Sequence, residues 1–263
     1  GNSANQGGGI YNFAPVGRYY SGTASPKLTN CIISGNLVSS GSYNKGGGIY
    51  NKATSGATAS PTLTNCTISG NKANEGAGVY NYLKKYGEAN PTFINCTISD
   101  NSARWGGGMS NLASGVGSVA SPTLTNCTIT GNTATQSGGG IRNSPNGGTA
   151  SPTFTNCTIS GNLAHRGGGI HNEANSLNYI TATSHMTLIN CIVWGNIRGE
   201  ITADNMNDKN GSASISYSDI EGSGGSGSGW TANQGVDDGG NIDSDPLFVK
   251  EFLYSDEQEG NYR

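Results

Sequence analysis

Cleaving a polymer by hydrolysis needs carboxylates in pairs across a cleft, and cleaving it by elimination on a calcium-dependent scaffold needs clustered carboxylates beside a base. In residues 1–199 the only acids are Glu75, Glu88, Asp100 and Glu173. Their positions put Glu75, Glu88 and Glu173 in loops and Asp100 at a corner that elsewhere carries Gly. No two of them fall at neighbouring positions of adjacent strands, and His165, His171 and His185 have no acidic column beside them. These residues speak against an enzyme. Asp237, Asp238, Asp243 and Asp245 make an oxygen-rich stretch of the kind calcium takes. Their spacing matches no defined calcium motif, so a solvated acidic loop is the plainer expectation, and no other cofactor is indicated.

Binding chemistry has more material. Tyr11, Tyr50 and Tyr80 occupy one recurring position, which continues as Ser110, Arg142 and His171, with Arg104-Trp105 and His165-Arg166 nearby. Aromatic faces and guanidinium groups along such a strip suit a sugar or an anionic glycan. The plainer alternative is a stacked aromatic ladder with a solvated basic end. Thr67/Ser69, Thr97/Ser99, Thr128/Thr130 and Thr158/Ser160 form a second outward array. It resembles the Thr-x-Thr faces of ice-binding solenoids, although Thr is also an ordinary strand former. Six cysteines occupy a single column, where shared side-chain direction disfavours a disulfide, so buried free thiols acting as small apolar fillers are expected. Asn-Cys-Thr at residues 65, 95, 126 and 156 also fits the glycosylation acceptor pattern, but a structural role at a corner accounts for it better.

What must position these residues is a repeat. Cys31, Cys66, Cys96, Cys127, Cys157 and Cys191 are spaced 35, 30, 31, 30 and 34 residues apart, each preceded by Asn. A second phrase, Gly-Gly-Gly-Ile-Tyr-Asn or a variant, ends at Asn12, Asn51, Asn81, Asn111, Asn143 and Asn172. A period in this range means stacked units. The units are rich in Thr, Asn, Gly and Ile and poor in helix formers. Within one of them, residues 62–64, 66–69 and 78–80 alternate apolar and polar as three short strands, with Asn65 and Gly70-Asn71 as corners. Three strands per turn stacked in register predict an all-β, right-handed parallel β-helix of about seven coils of 30–35 residues.

Rungs ~4.8 Å apart place each side chain on its counterpart. Asn30 to Asn190 should form one amide ladder, Asn36 to Asn196 a second, and the Asn after Ile-Tyr a third. Leu28, Leu63, Phe93, Leu124, Phe154 and Leu188 make one inward row, Ile33 to Val193 another, and Ile10, Ile49, Val79, Met109, Ile141 and Ile170 the last. Insertions fall at two corners, the longest being residues 13–25, 37–45 and 173–185, and are expected to project as loops.

The repeats run through residues 1–221, ending in a degenerate rung at 214–221. Residues 222–263 read as a flexible Gly/Ser connector (222–229) and an acidic capping segment. With 43 Gly, 12% charged and 33% hydrophobic residues, the chain would look low-complexity if its glycines were not periodic. No stretch is apolar enough to span a membrane, and no nucleic-acid partner is indicated.

The Thr-Ile-Ser-Gly-Asn and Gly-Gly-Gly-Ile-Tyr-Asn phrases resemble bacterial surface β-helix proteins, including polymorphic outer-membrane protein repeats. Ser-Asp-Ile-Glu-Gly, Asn-Ile-Asp-Ser-Asp-Pro-Leu-Phe-Val and Gly-Asn-Tyr-Arg resemble the end of secreted choice-of-anchor β-helix proteins. The resemblance implies the pectin-lyase-like superfamily, which holds polysaccharide lyases, hydrolases, adhesins and surface-layer components, and an extracellular or cell-surface location. A non-catalytic adhesive or structural component is the expectation; a polysaccharide-binding or polysaccharide-cleaving module is the alternative.

Self-association is also expected. The sequence opens at a corner with no capping helix, which would leave strand groups unpaired. Residues 1–199 hold 11 Lys/Arg and 4 Asp/Glu, a net of +7, whereas residues 200–263 hold 3 and 13, a net of −10. An acidic tail carrying Glu251, Phe252, Leu253 and Tyr254 would therefore meet the basic coils of another copy and propagate head to tail.

Overall fold

In a computed structural model, which describes residues 1–15, 21–39, 44–176, 179–204 and 211–248, each repeat is one coil of a parallel β-solenoid. Strands at Lys27–Thr29, Thr62–Thr64, Thr92–Ile94, Thr123–Thr125 and Thr153–Thr155 stack into the first sheet, which continues through Thr183–Ile189 and Gly211–Ser216 to Val236–Asp237. The second runs from Ile32–Ser34 through Thr67–Ser69 and Thr97–Ser99 to Asp219–Ile220. The third runs from Ile10–Ala14 through Ile49–Thr54, Val79–Lys84 and Met109–Ser114 to Ile201–Asp204. Register is repeat on repeat: Phe93 pairs with Leu63 and Leu124, Ile98 with Ile68 and Ile129, Met109 with Val79 and Ile141. The three expected rows thus meet in one continuous apolar core, with Leu28 and Ile10 half-buried at its first coil.

The corners behave as their residue types require. Asn30, Asn65, Asn95, Asn126, Asn156 and Asn190 all have φ of 53–55°. Their exposed amides form a ladder in which each Nδ2 donates to the Oδ1 of the coil before, as Asn95 does to Asn65 at 3.2 Å. The second ladder is buried and more heavily bonded. Asn101 Oδ1 accepts both the backbone N–H and the Nδ2 of Asn71, at 3.0 and 2.9 Å, and Asn101 Nδ2 donates onward to Asn132 Oδ1 and to Ile68 O. The third ladder links Asn12, Asn51, Asn81, Asn111 and Asn143, but Asn172 turns instead to Ser184 and Ser212. Beside the buried ladder only Gly fits: a Cβ on Gly78 would lie 2.4 Å from Gly108 O and 3.0 Å from Asn101 Nδ2.

Four expectations need correction. A further short sheet forms from Ser102–Trp105, Thr133–Ser137 and Leu163–Arg166, where Ala103, Ala134 and Ala164 point inward; a lone Ala per coil carries too little hydrophobic contrast to be read as a strand. The insertions after the third strand are no projecting loops but a packed layer: Ala53, Ala57, Ala59, Leu83, Ala89, Ala113 and Ala120 form a second small core, bridged in parallel through Thr58, Glu88 and Val119. Residues 16–20, 40–43 and 177–178 of the longest insertions lie outside the described residues.

The cysteines are free and, except for half-buried Cys31, buried, but they are more than fillers. Cys66 N–H donates to Cys96 Sγ and Cys96 N–H to Cys127 Sγ, both at 3.4 Å, while each thiol donates to a carbonyl, as Cys66 does to Thr64 O at 3.3 Å. Sulfur here replaces the acceptor that the corner denies to the backbone. Ser218 Oγ and Asn241 Oδ1 take the same role in the last coils, accepting from Cys191 N–H and Ser218 N–H.

Finally, the 222–229 connector is pinned rather than slack, and Trp230 packs on the end of the main core with its indole N–H donating to Gly235 O at 2.8 Å. Val236–Asp237 then pairs with Gly211–Ser216, so strand pairing crosses the boundary drawn at residue 221.

The buried ladder ends on an acid. Glu200 Oε1 and Oε2 accept the N–H and Nδ2 of Asn196, where the next coil would have offered an Asn. Burial, followed by a hydrogen bond shared with Glu221, pushes the Glu200 carboxyl up to about 8. A carboxyl whose folded value lies above its unfolded one keeps its proton in the native state after the unfolded chain has lost it, so stability falls as pH rises through that window. Chemical denaturation should accordingly show stability decreasing from about pH 4.5 to about pH 8 and level beyond. Glu200→Gln, whose Oε1 can accept both donors as each ladder oxygen does, should flatten that part of the profile; an unchanged slope would assign it to other groups.

Candidate functional site

The outward face of the third sheet gathers the chain's concentrated chemistry. Behind each inward Ile, Val or Met, the next residue points out, giving the column Tyr11, Tyr50, Tyr80, Ser110, Arg142 and His171 in register. Two residues on, Phe13, Lys52, Tyr82 and Leu112 form a second column beside it. The aromatic rings stack along and across these columns. Tyr11 lies 5.1 Å from Tyr50 and 5.8 Å from Phe13, Tyr50 lies 5.1 Å from Tyr80, and Tyr80 lies 5.9 Å from Tyr82. Tyr50 and Tyr80 are buried, whereas Tyr11 and Phe13 are 43% and 41% exposed, with Lys52 Nζ 5.3 Å from the Phe13 ring.

Charge enters where the aromatics stop. Arg142 Nη1 reaches Glu75 Oε1 at 3.3 Å and its Nη2 bonds Glu173 and Ser144 Oγ, while Lys45 Nζ lies 3.3 Å from Glu75 Oε2 and donates to Tyr80 OH at 3.2 Å. Glu75 and Glu173 are therefore not loop acids, as their sequence neighbours suggested. Both are buried, Glu173 at the end of the strand Ile170–Glu173, and one guanidinium spans 67 positions of sequence to hold Glu75. Burial and the adjacent Glu75 carboxylate hold the Tyr80 phenol well above its ordinary value. His171 is buried in the same column.

The expected strip is thus divided. Buried Tyr50, Tyr80 and His171, with half-buried Arg142, form an aromatic and ionic core of the face; Tyr11 is its open edge. Arg104, stacked 4.1 Å from the Trp105 ring, and the exposed His165 and Arg166 belong to the neighbouring short sheet, where Arg198 Nη1 meets His165 Nδ1 at 3.0 Å. The Thr/Ser array stands in register on the outside of the second sheet.

Of the four aspartates considered for calcium, three accept backbone N–H groups. Asp237 accepts from Gly227 N–H, Ser226 Oγ, Gly239 N–H and Asn241 Nδ2, which holds its carboxyl down at about 2, the Gly227 bond weighing most. Asp243 accepts from Gly222 and Gly224 N–H, and Asp245 from Leu247 N–H; Asp238 is exposed. Asp237 and Asp243 are what pins the connector, so the stretch is an exposed acidic loop that is also pegged to its own backbone. Among the described residues no group of three or more His, Cys, Asp or Glu converges on one metal position. Glu251, Phe252, Leu253 and Tyr254 lie outside the described residues.

Residues 7–196, covering most of the solenoid, match the family model described as a right-handed beta helix region. The chain belongs to the right-handed β-helix family. Compared with curated proteins and with solved structures, it has no significant match. Within the described residues of this β-helix, no helix is long and apolar enough to cross a membrane.

The ion network gives a direct expectation. Removing Arg142 would leave two buried carboxylates without their shared guanidinium, Glu75 keeping its contact with Lys45. Arg142→Met should cost about 2–3 kcal/mol, less than a fully buried pair because the guanidinium retains some exposure. In a urea titration, a midpoint within error of the parent's would show that the network contributes nothing.

Proposed function

We propose that this β-helix is a non-catalytic extracellular component with a structural or adhesive role. The observation that carries the reading is the clamp at Arg142: beside the outward face of the third sheet one guanidinium ties Glu75 and Glu173, and Glu75 is also tied to Lys45. Carboxylates held in that way serve packing, their oxygens already bonded to the guanidinium. The reading is further supported by side chains that bond coil to coil along three Asn ladders, an arrangement suited to a stiff rod.

Charge favours association of copies through unlike surfaces, the coils of residues 1–199 carrying +7 and residues 200–263 carrying −10. Sedimentation velocity across salt concentration tests this part. Association at low salt that dissolves as salt rises is expected, and a stable monomer at high concentration and low salt would rule it out.

A second reading, polysaccharide binding, is favoured by the half-exposed Tyr11–Phe13 pair with Lys52 beside it. A glycan array comparing the parent with Tyr11→Ala tests it: retained glycan that is lost in the variant supports this reading, and retention unaffected by the variant removes it.

A further inference from the structure

The main core contains a line of sulfur atoms that neither the fold nor the proposed role requires to be thiol. Cys31, Cys66, Cys96, Cys127, Cys157 and Cys191 stand one per coil in a single column, five of them buried and none in a disulfide. Each thiol feels the next: Cys96 meets Cys127, Cys127 meets Cys157, Cys157 meets Cys191, and Cys66 senses both Cys31 and Cys96. Where the column continues past Cys191, oxygen does the same hydrogen-bonding work, from Ser218 and then Asn241. Structure alone would accept Ser throughout.

We propose that this column is a one-dimensional binding site for soft monovalent cations, copper(I) or silver(I), each held linearly between the sulfurs of two consecutive coils. Three observations support it. Thiolate is the ligand soft ions select. Coils repeat every ~4.8 Å, and two metal–thiolate bonds of ~2.3 Å laid end to end span ~4.6 Å, so the coil spacing matches the span of a linear two-sulfur ion. The N–H of Cys66 and of Cys96 already points at the sulfur of the following coil at 3.4 Å, a donor placed to stabilise a thiolate. The site is a chain of two-sulfur gaps, consistent with no group of three or more candidate ligands converging on a point among the described residues.

The chemistry balances by exchange. An entering ion forms a metal–sulfur bond to one thiol as its S–H bond breaks, and accepts a lone pair from the neighbouring sulfur; the proton leaves to solvent. Neither sulfur nor metal changes oxidation state. One positive charge replaces another, so a fully loaded column of six sulfurs holds five ions and one remaining proton and stays neutral within the apolar core.

The gaps make a count that independent sites cannot imitate. Reduced protein, both folded and refolded in the presence of silver(I) in halide-free buffer, is weighed by native mass spectrometry while proton release is titrated. Five silver ions per chain are expected, each releasing one proton. Cys31→Ser, at the end of the column, should take four. Cys96→Ser, in the middle, removes the gaps on both sides and should take three; Cys127→Ser should do the same if Cys96→Ser folds poorly. Loss of only one ion by the middle variant, as by the end variant, would show isolated thiols and overturn the proposal. Equal uptake by parent and variants, or none on refolding, would overturn it as well.

Discussion

Ile98→Asp should destabilise the protein by about 5 kcal/mol, while Thr97→Asp, one residue earlier, should cost about 1 kcal/mol or less. Ile98 is fully buried and sits in register between Ile68 and Ile129, so a carboxylate there loses its water and gains no partner. Thr97 belongs to the outward column between Thr67 and Thr128, where an acid remains solvated. Because side chains alternate with a period of two, a strand displaced by one residue would exchange the two outcomes. Urea midpoints of the pair settle the register, and equal losses would contradict it.

The second large effect is expected at the buried Asn ladder. Asn101→Ala removes four hydrogen bonds at once: two that its Oδ1 accepts from Asn71 and two that its Nδ2 donates, to Asn132 and to Ile68. It leaves the N–H of Asn71 and the carbonyl of Ile68 without these partners in a site closed to water. Each unsatisfied group costs about 1–3 kcal/mol, and partial relaxation brings the total to about 4 kcal/mol. Asn95→Ala makes the useful contrast. It breaks an exposed ladder, for which water substitutes, and its main penalty is an Ala held at φ of 53°, about 1 kcal/mol. If the two variants were equally stable, burial would not be what gives the ladder its strength.

These columns were legible because the sequence repeats them: the Leu63, Cys66, Ile68 and Asn71 positions recur from coil to coil with Phe or Val as conservative replacements, and stacking follows from that recurrence. What breaks the repeat was not. Arg142 occupies a position that is Tyr in earlier coils, and only three-dimensional reach shows that its guanidinium spans back to Glu75 and sideways to Glu173. The alanine layer was missed for the opposite reason: Ala53, Ala89 and Ala120 lie in segments of unequal length, and Ala has too little apolar surface to mark a core in sequence. Asp237 and Asp243 read as solvated, and Asp243 is exposed; what the sequence does not show is that glycine N–H groups, unencumbered by side chains, converge on both carboxylates.

In the proposed non-catalytic role, Glu75 and Glu173 on the outward face serve as partners of Arg142. Incubation of the folded protein with neutral and uronic-acid polysaccharides, followed for new reducing ends and for unsaturated uronate absorbance, tests this most directly. The expected result is no release above that of the heat-denatured protein. Sustained release from any of these polymers that disappears in Glu75→Gln or Glu173→Gln would contradict a non-catalytic role.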